Sequence, residues 1–209
     1  MTEIPRARVD TIKEAIAGFE KTSDVGNDVS EEQAEDARDV SEGNAKRQKR
    51  FLADIGVLDK EGYDYYLTED GQALGEYIRF NQEEQASETL RTLFSEHWDA
   101  LNELLANVDE GGMQREDLVD KVAFITATEL TSNRREYGAE SIVDLLQWTG
   151  FIESDEDDLY YLAEGWDEDS GVSSEEEGIT SNSEINSDSE SSNDLDSEEG
   201  PDAMSNEDT

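Results

Sequence analysis

GNAKRQKRFLADIGVLDKEGYDYYLTEDG, residues 43–71, is the stretch whose reading decides the fold. At about 100° per residue on an ideal helix, Ala45, Gln48, Phe51, Leu52 and Ile55 share one apolar arc. Lys46, Arg47, Lys49 and Arg50 fall on the other side, so four of the sixteen basic residues are expected on one exposed face. Gly56 then marks a tight turn, and Val57 and Leu58 begin a strand. Residues 60–62 make a polar tip, Tyr65, Tyr66 and Leu67 return, and Gly71 stops the hairpin.

The same arrangement recurs in GAESIVDLLQWTGFIESDEDDLYYLAEG, residues 138–165. Leu146 follows Leu52 by 94 residues, Gly150 follows Gly56 by the same 94, and Phe151 and Ile152 replace Val57 and Leu58. Tyr160, Tyr161 and Leu162 answer the first return strand, shifted by one because the tip differs in length. Gly165 answers Gly71. A repeat of this kind is stronger fold evidence than either copy alone.

Outward from the first copy, Val9, Ile12, Ile16 and Phe19 recur at helical spacing and predict a helix over 9–21. Residues 22–29 are loop by composition. Ser30 is placed to cap a short helix that buries Ala34, Ala37 and Val40, and Ser41 to cap the basic helix. Leu74, Tyr77 and Ile78 mark a fourth helix. From Glu76 to Glu110 there is neither Gly nor Pro, yet the polar run at 81–88 interrupts the apolar face, with Ser87 as a possible new cap. Leu90, Phe94, Trp98, Leu101, Leu105 and Val108 then form a long stripe, flanked by Leu93 and Leu104. Such a stripe is core or, alternatively, a dimer seam. A further helix runs from Asp117 to about Leu130, with Leu118, Val122 and Ile125 inward, and TSNRREYG (131–138) is a loop or helix start.

Three helices, a hairpin and a closing helix in this order resemble a winged helix. The residues that carry the resemblance are Leu52, Gly56, Val57, Leu58, Tyr66, Leu67, Thr68 and Gly71. Winged-helix regulators often end the recognition helix in Leu-x-x-x-Gly plus two apolar residues and return the wing as Tyr-x-Leu-Thr-x-x-Gly. The fold expected from the resemblance and the repeat is mainly α with small β-hairpin wings: two winged-helix domains in tandem and a disordered acidic C-terminal tail. The boundaries are a flexible leader at 1–8, a first domain at 9–80, a helical or polar linker at 81–89, a second domain at 90–165 and the tail at 166–209. The tail holds sixteen Asp and Glu and no base, too polar to offset the entropy of ordering.

Across the chain, 56 acids face 16 bases, a formal charge of −40. Without the tail the balance is still about −24, and ten of the sixteen bases are Arg. Such a surface repels itself at ordinary ionic strength and is relieved near molar salt, where the screening length is roughly 3 Å. The composition resembles that of proteins from a salt-loaded, haloarchaeal cytoplasm; an ordinary acidic protein is the plainer alternative. Cys is absent, which excludes disulfides, thiol nucleophiles and thiolate metal sites. No run approaches the roughly 20 apolar residues of a membrane span, and residues 1–10 lack a secretory signal's apolar stretch. A cytoplasmic protein without membrane partners is expected.

Candidate chemistry centres on the basic helix. The resemblance implies a helix that enters the major groove of double-stranded DNA, with Asn44, Lys46, Arg47, Lys49 and Arg50 as contacts and Lys60 on the wing. The competing reading is a solvated basic face paired with acids such as Glu42 and Asp54. In the second copy the outward positions are Glu140, Ser141, Asp144, Gln147 and Trp148 beside an acidic tip at 153–158, a surface that repels phosphate. Only Arg134 and Arg135 would help there. Trp148 and Trp98 are instead candidate protein-interface residues, toward another domain, a homodimer mate or another protein. His97 has no nitrogen partner for metal or proton chemistry, and 155–158 lacks the ligand spacing of a calcium loop. No phosphate loop, nucleophile elbow or zinc signature is present, so neither an enzyme nor a cofactor is expected. Two functions follow: a DNA-binding transcription regulator whose second domain dimerises or meets a partner, or a winged-helix adaptor that binds only proteins. The tail serves solubility, partner recruitment or competition with DNA.

Overall fold

In each half of the chain a helix ends in the same turn and feeds the same small hairpin. The first is α3 (Asn44–Asp54), followed by β1 (Leu58–Glu61) and β2 (Asp64–Leu67). The second is α8 (Asn133–Trp148), followed by β3 (Ile152–Ser154) and β4 (Tyr160–Leu162). Gly56 has φ 76° and Gly150 φ 71°, the left-handed region that glycine enters without a Cβ penalty. Beyond each glycine the amide of Val57 donates to the Leu52 carbonyl and that of Phe151 to the Leu146 carbonyl, both at 2.9 Å. This bond closes a helix C-terminus and explains why Leu, Gly and an apolar residue recur at a fixed interval.

The computed structural model describes residues 2–38 and 43–163, apart from the side chain of Arg134. Val40, Ser41, Glu42, Gly165, the tail at 166–209 and any helix near Trp166 lie outside the described residues. Among the described residues the protein is mainly helical, with two small antiparallel hairpins. The remaining helices are α1 (Val9–Thr22), α2 (Glu31–Arg38), α4 (Glu69–Arg79), α5 (Glu83–His97), α6 (Ala100–Leu105) and α7 (Arg115–Ile125). Leu58 pairs with Leu67 and Ile152 with Leu162, so each hairpin turns one apolar pair into the core. Among the described residues no helix is long and apolar enough to cross a membrane.

One hydrophobic cluster runs from Ile12 and Phe19 through Phe51, Leu52, Phe94 and Trp98 to Ile142, Leu146 and Phe151. The stripe predicted on residues 90–108 lies entirely inside it. Asn81, at φ 55°, breaks the chain between α4 and α5, and a second break at Trp98 and Asp99 precedes α6. The expected linker at 81–89 is therefore mostly the first turns of α5. That helix starts at Glu83, and the Ser87 hydroxyl donates to the Glu84 carbonyl rather than capping a new helix.

Two segments expected to be irregular are built in. In the 22–29 loop, Asp28 bridges Tyr66, and Gly26 and Val29 donate to the carbonyls of Leu67 and Tyr65, each at 2.9 Å. Met113 bridges Tyr160 on the second hairpin's return strand, one residue earlier in the repeat than the Asp28 bridge to Tyr66. Residues 2–8, expected to be a flexible leader, instead pack between α3 and α8. Ile4 is buried, the amides of Glu3 and Arg6 donate to Asp54 and Gln48, and the Ala7 carbonyl accepts from Ser141. Gly138 makes room for this segment, because a Cβ there would overlap the Pro5 carbonyl oxygen.

Candidate nucleic-acid interface

The first turn of α3 has no capping side chain of its own, since Gly43 stands at the N-cap. Its free amides are met from α2: the buried Glu35 carboxylate accepts from Gly43 and Ala45, each at 2.8 Å. This anchors the helix start, where unpaired N–H groups and the helix dipole favour a negative charge. Ala45, Gln48, Phe51 and Leu52 are buried beneath it, which leaves the cations to the opposite side.

They do not all reach solvent. Lys46 and Arg50 are exposed and Arg47 is half-buried, but Lys49 is only 8% exposed. Its ammonium lies 3.2 Å from Glu31 and 4.5 Å from the centre of the Tyr65 ring. The helical wheel puts Lys49 beside Ala45, at the edge of the buried arc, and the hairpin covers that edge. The expectation of four exposed cations is thus corrected to two, Lys46 and Arg50, with Arg47 half-buried and Lys49 buried. Burial pushes the Glu31 carboxyl up, but its own backbone N–H and Lys49 outweigh that, so its pKa falls below the ordinary 4.5.

Arg50 meets Glu3 at 3.4 Å with its side chain 67% exposed, a surface pair of small energetic weight. Arg47 is held differently. Its Nη1 donates to Asn44 Oδ1 at 2.7 Å, and Nη2 lies against Gly43. Neither Arg47 nor Lys46 has a carboxylate partner within ion-pair distance among the described residues.

The turn of the first hairpin is Gly62 and Tyr63, so Lys60 belongs to β1, opposite Tyr65, and not to the tip. Its ammonium is 5.8 Å from the Tyr65 ring centre. Tyr63, which the sequence did not single out, is 98% exposed at the tip. Between hairpin and helix lies an open groove of about 560 Å³, lined by Lys46, Arg47, Lys49, Arg50, Arg6, Tyr63, Tyr65, Glu3 and Glu31. Five cations and two anions on one concavity contrast with a chain of net charge −40. Arg6 reaches it only because the leader is packed.

The second copy is built otherwise. Ser141, expected outward, is 1% exposed beneath the leader, and Asp144 is bound to Arg115 at 2.6 Å. At the tip, the Asp155 carboxylate accepts from the amides of Leu159 and Asp157 and from the Tyr161 hydroxyl. The Leu159 and Tyr161 bonds are the chief causes of its lowered pKa, so the tip stays anionic. Arg135 is tied to Glu129.

Both candidate tryptophans make contacts within the chain. Trp98 is 3% exposed, its ring edge-on to Phe94 with centroids 5.2 Å apart; the stripe that carries it is core. Trp148 is half-buried and packs within the chain. Its indole N–H donates to Glu83 at 3.0 Å, and the Lys13 ammonium sits 3.5 Å from its ring centre. His97 rests against Gly56, beside the turn that ends α3. Among the described residues no group of acids and histidines is placed to hold a metal ion. Comparison with protein-family models, with curated proteins and with solved structures finds no match.

Proposed function

We propose that the chain is a DNA-binding protein of transcription-regulator type that binds duplex through the α3 face and the first hairpin. One observation carries this reading: the groove beside α3 has a surplus of cations on a protein that is acidic elsewhere. Selection for solubility in salt adds acids, so a concentrated basic surface needs another reason, and phosphate is the anion such a surface best serves. Lys46 and Arg50 serve as phosphate contacts, Arg47 reaches base edges, and the hairpin with Tyr63 flanks the duplex.

Two features support reading each half as a winged helix. Both run helix, isolated bridge, helix, helix, hairpin, and both close the third helix with the same glycine turn. The second unit acts as a scaffold: its core is continuous with the first, and it holds the leader that carries Arg6 to the groove. In a salt-loaded cytoplasm counterion release contributes little, so affinity there rests on base contacts and fit.

The test is fluorescence polarisation on mixed-sequence duplex across KCl concentration, with wild type against a Lys46→Glu, Arg47→Glu, Arg50→Glu variant. Lys49 is left intact because a carboxylate beside Glu31 would threaten folding. Four cations in reach of phosphate (Arg6, Lys46, Arg47 and Arg50) set a slope of log affinity against log salt no steeper than about −3.6. Binding by wild type that the variant loses supports the proposal. Equal binding by both, or none by wild type, refutes it.

A further inference from the structure

The cations of α3 are not equivalent, and Arg47 stands apart. Lys49 is spent on Glu31, and Arg50 is a long, exposed arm loosely tied to Glu3. Arg47 is half-buried, one of its N–H groups is taken by the Asn44 amide oxygen, and its far nitrogen occupies the side of Gly43 where a Cβ would stand. Among the described residues no carboxylate neutralises it, in a chain with 56 acids. A guanidinium has five N–H donors in a rigid plane, so the bond to Asn44 and the close approach to Gly43 together restrict that plane and leave the other donors to recognise a ligand. A neutral amide does this without cancelling the charge, as a carboxylate would.

We propose that Asn44 and Arg47 form a preset fork that reads one guanine in the major groove, with Asn44 as its positioning residue. The inference rests on the proposed duplex binding and adds to it which side chain carries sequence choice. Guanine is the matching base because it presents two acceptors, O6 and N7, to one guanidinium edge. Phosphate would also accept the fork, but phosphate needs no fixed plane and is served by the mobile arms of Lys46 and Arg50. A preset plane reduces the side-chain ordering cost on binding, and that gain is specific to a base held at one angle.

The experiment is selection from a duplex library randomised over about 20 base pairs, followed by affinity measurement on the selected site and on the same site with one guanine replaced. Wild type is expected to enrich a guanine and to lose roughly 5- to 150-fold in affinity when it is replaced. Arg47→Lys retains the charge but not the fork and is expected to remove most of that ratio. Asn44→Ala is expected to reduce the ratio with the melting temperature unchanged, which a purely structural role would not do. If Arg47→Lys keeps the same guanine preference, or if wild type binds duplex without enriching any guanine, the fork is refuted while duplex binding stands. If wild type binds no duplex at all, the function proposed above fails, and the fork with it.

Discussion

Replacing each turn glycine by alanine tests the repeated helix stop, because the two positions share a backbone but not a neighbour. Gly56 and Gly150 sit at φ 76° and 71°, where a Cβ costs about 1–2 kcal/mol. At Gly150 the added methyl meets only Arg91 Nη1 at 3.7 Å, an ordinary contact. At Gly56 it overlaps the His97 ring, with Nε2 at 2.8 Å and Cγ at 2.9 Å. The ring is 46% exposed and can swing aside, so the added cost is that of an unfavourable rotamer, about 0.5–1.5 kcal/mol. Gly150→Ala is therefore expected to cost about 1–2 kcal/mol and Gly56→Ala about 1.5–3.5 kcal/mol. At roughly 2–4 °C per kcal/mol for a protein of this size, melts in concentrated KCl resolve the difference. In a His97→Ala background the excess at Gly56 should vanish and the two costs should converge. Equal costs at the outset, or an excess at Gly56 that survives removal of the ring, would refute the reasoning.

Three further outcomes follow from the packing. Lys49→Met leaves Glu31 without its ammonium. The folded Glu31 pKa is lowered, so its stabilisation is present above about 4.5 and is lost as pH falls through the depressed value. The melting-temperature gap between wild type and variant should close on acidification through that window; a gap independent of pH contradicts the pairing. A double-mutant cycle of Lys13→Ala and Trp148→Ala should return about 0.5–1 kcal/mol of coupling for the ammonium over the indole, and no coupling refutes the contact. Gly138→Ala should gain helix propensity in α8 yet displace the leader, read as faster hydrogen exchange at the Arg6 amide, whose partner is Gln48. Unchanged exchange there means the leader is not held by this close approach.

What the sequence made legible was periodic or repeated. Ile12, Ile16 and Phe19 on α1, the stripe from Leu90 to Val108, and the matched positions of Leu52 with Leu146 and Gly56 with Gly150 all lie where their spacing put them. What it hid depends on partners distant along the chain. Ile4 and Pro5 form no pattern by themselves, and their cover comes from Gly138 and the α3 and α8 surfaces. Asp28 contributes a single bridge, too short for strand alternation to show. Lys49 lies at the edge of the buried arc, and only the packing of the hairpin and of α2 against α3 places Tyr65 and Glu31 around its long stem. Tyr63 was readable in principle, as an aromatic beside Gly62 in a turn where a polar residue is usual.

The central claim is that duplex lies along α3 and the first hairpin, and hydrogen-exchange footprinting of the full chain with and without mixed-sequence duplex tests it most directly. The account predicts added protection in residues 44–54 and 61–65 and at the leader near Arg6, with the second hairpin at 152–162 unchanged. Protection that appears at the second hairpin or along α7, with α3 unaltered, would contradict it.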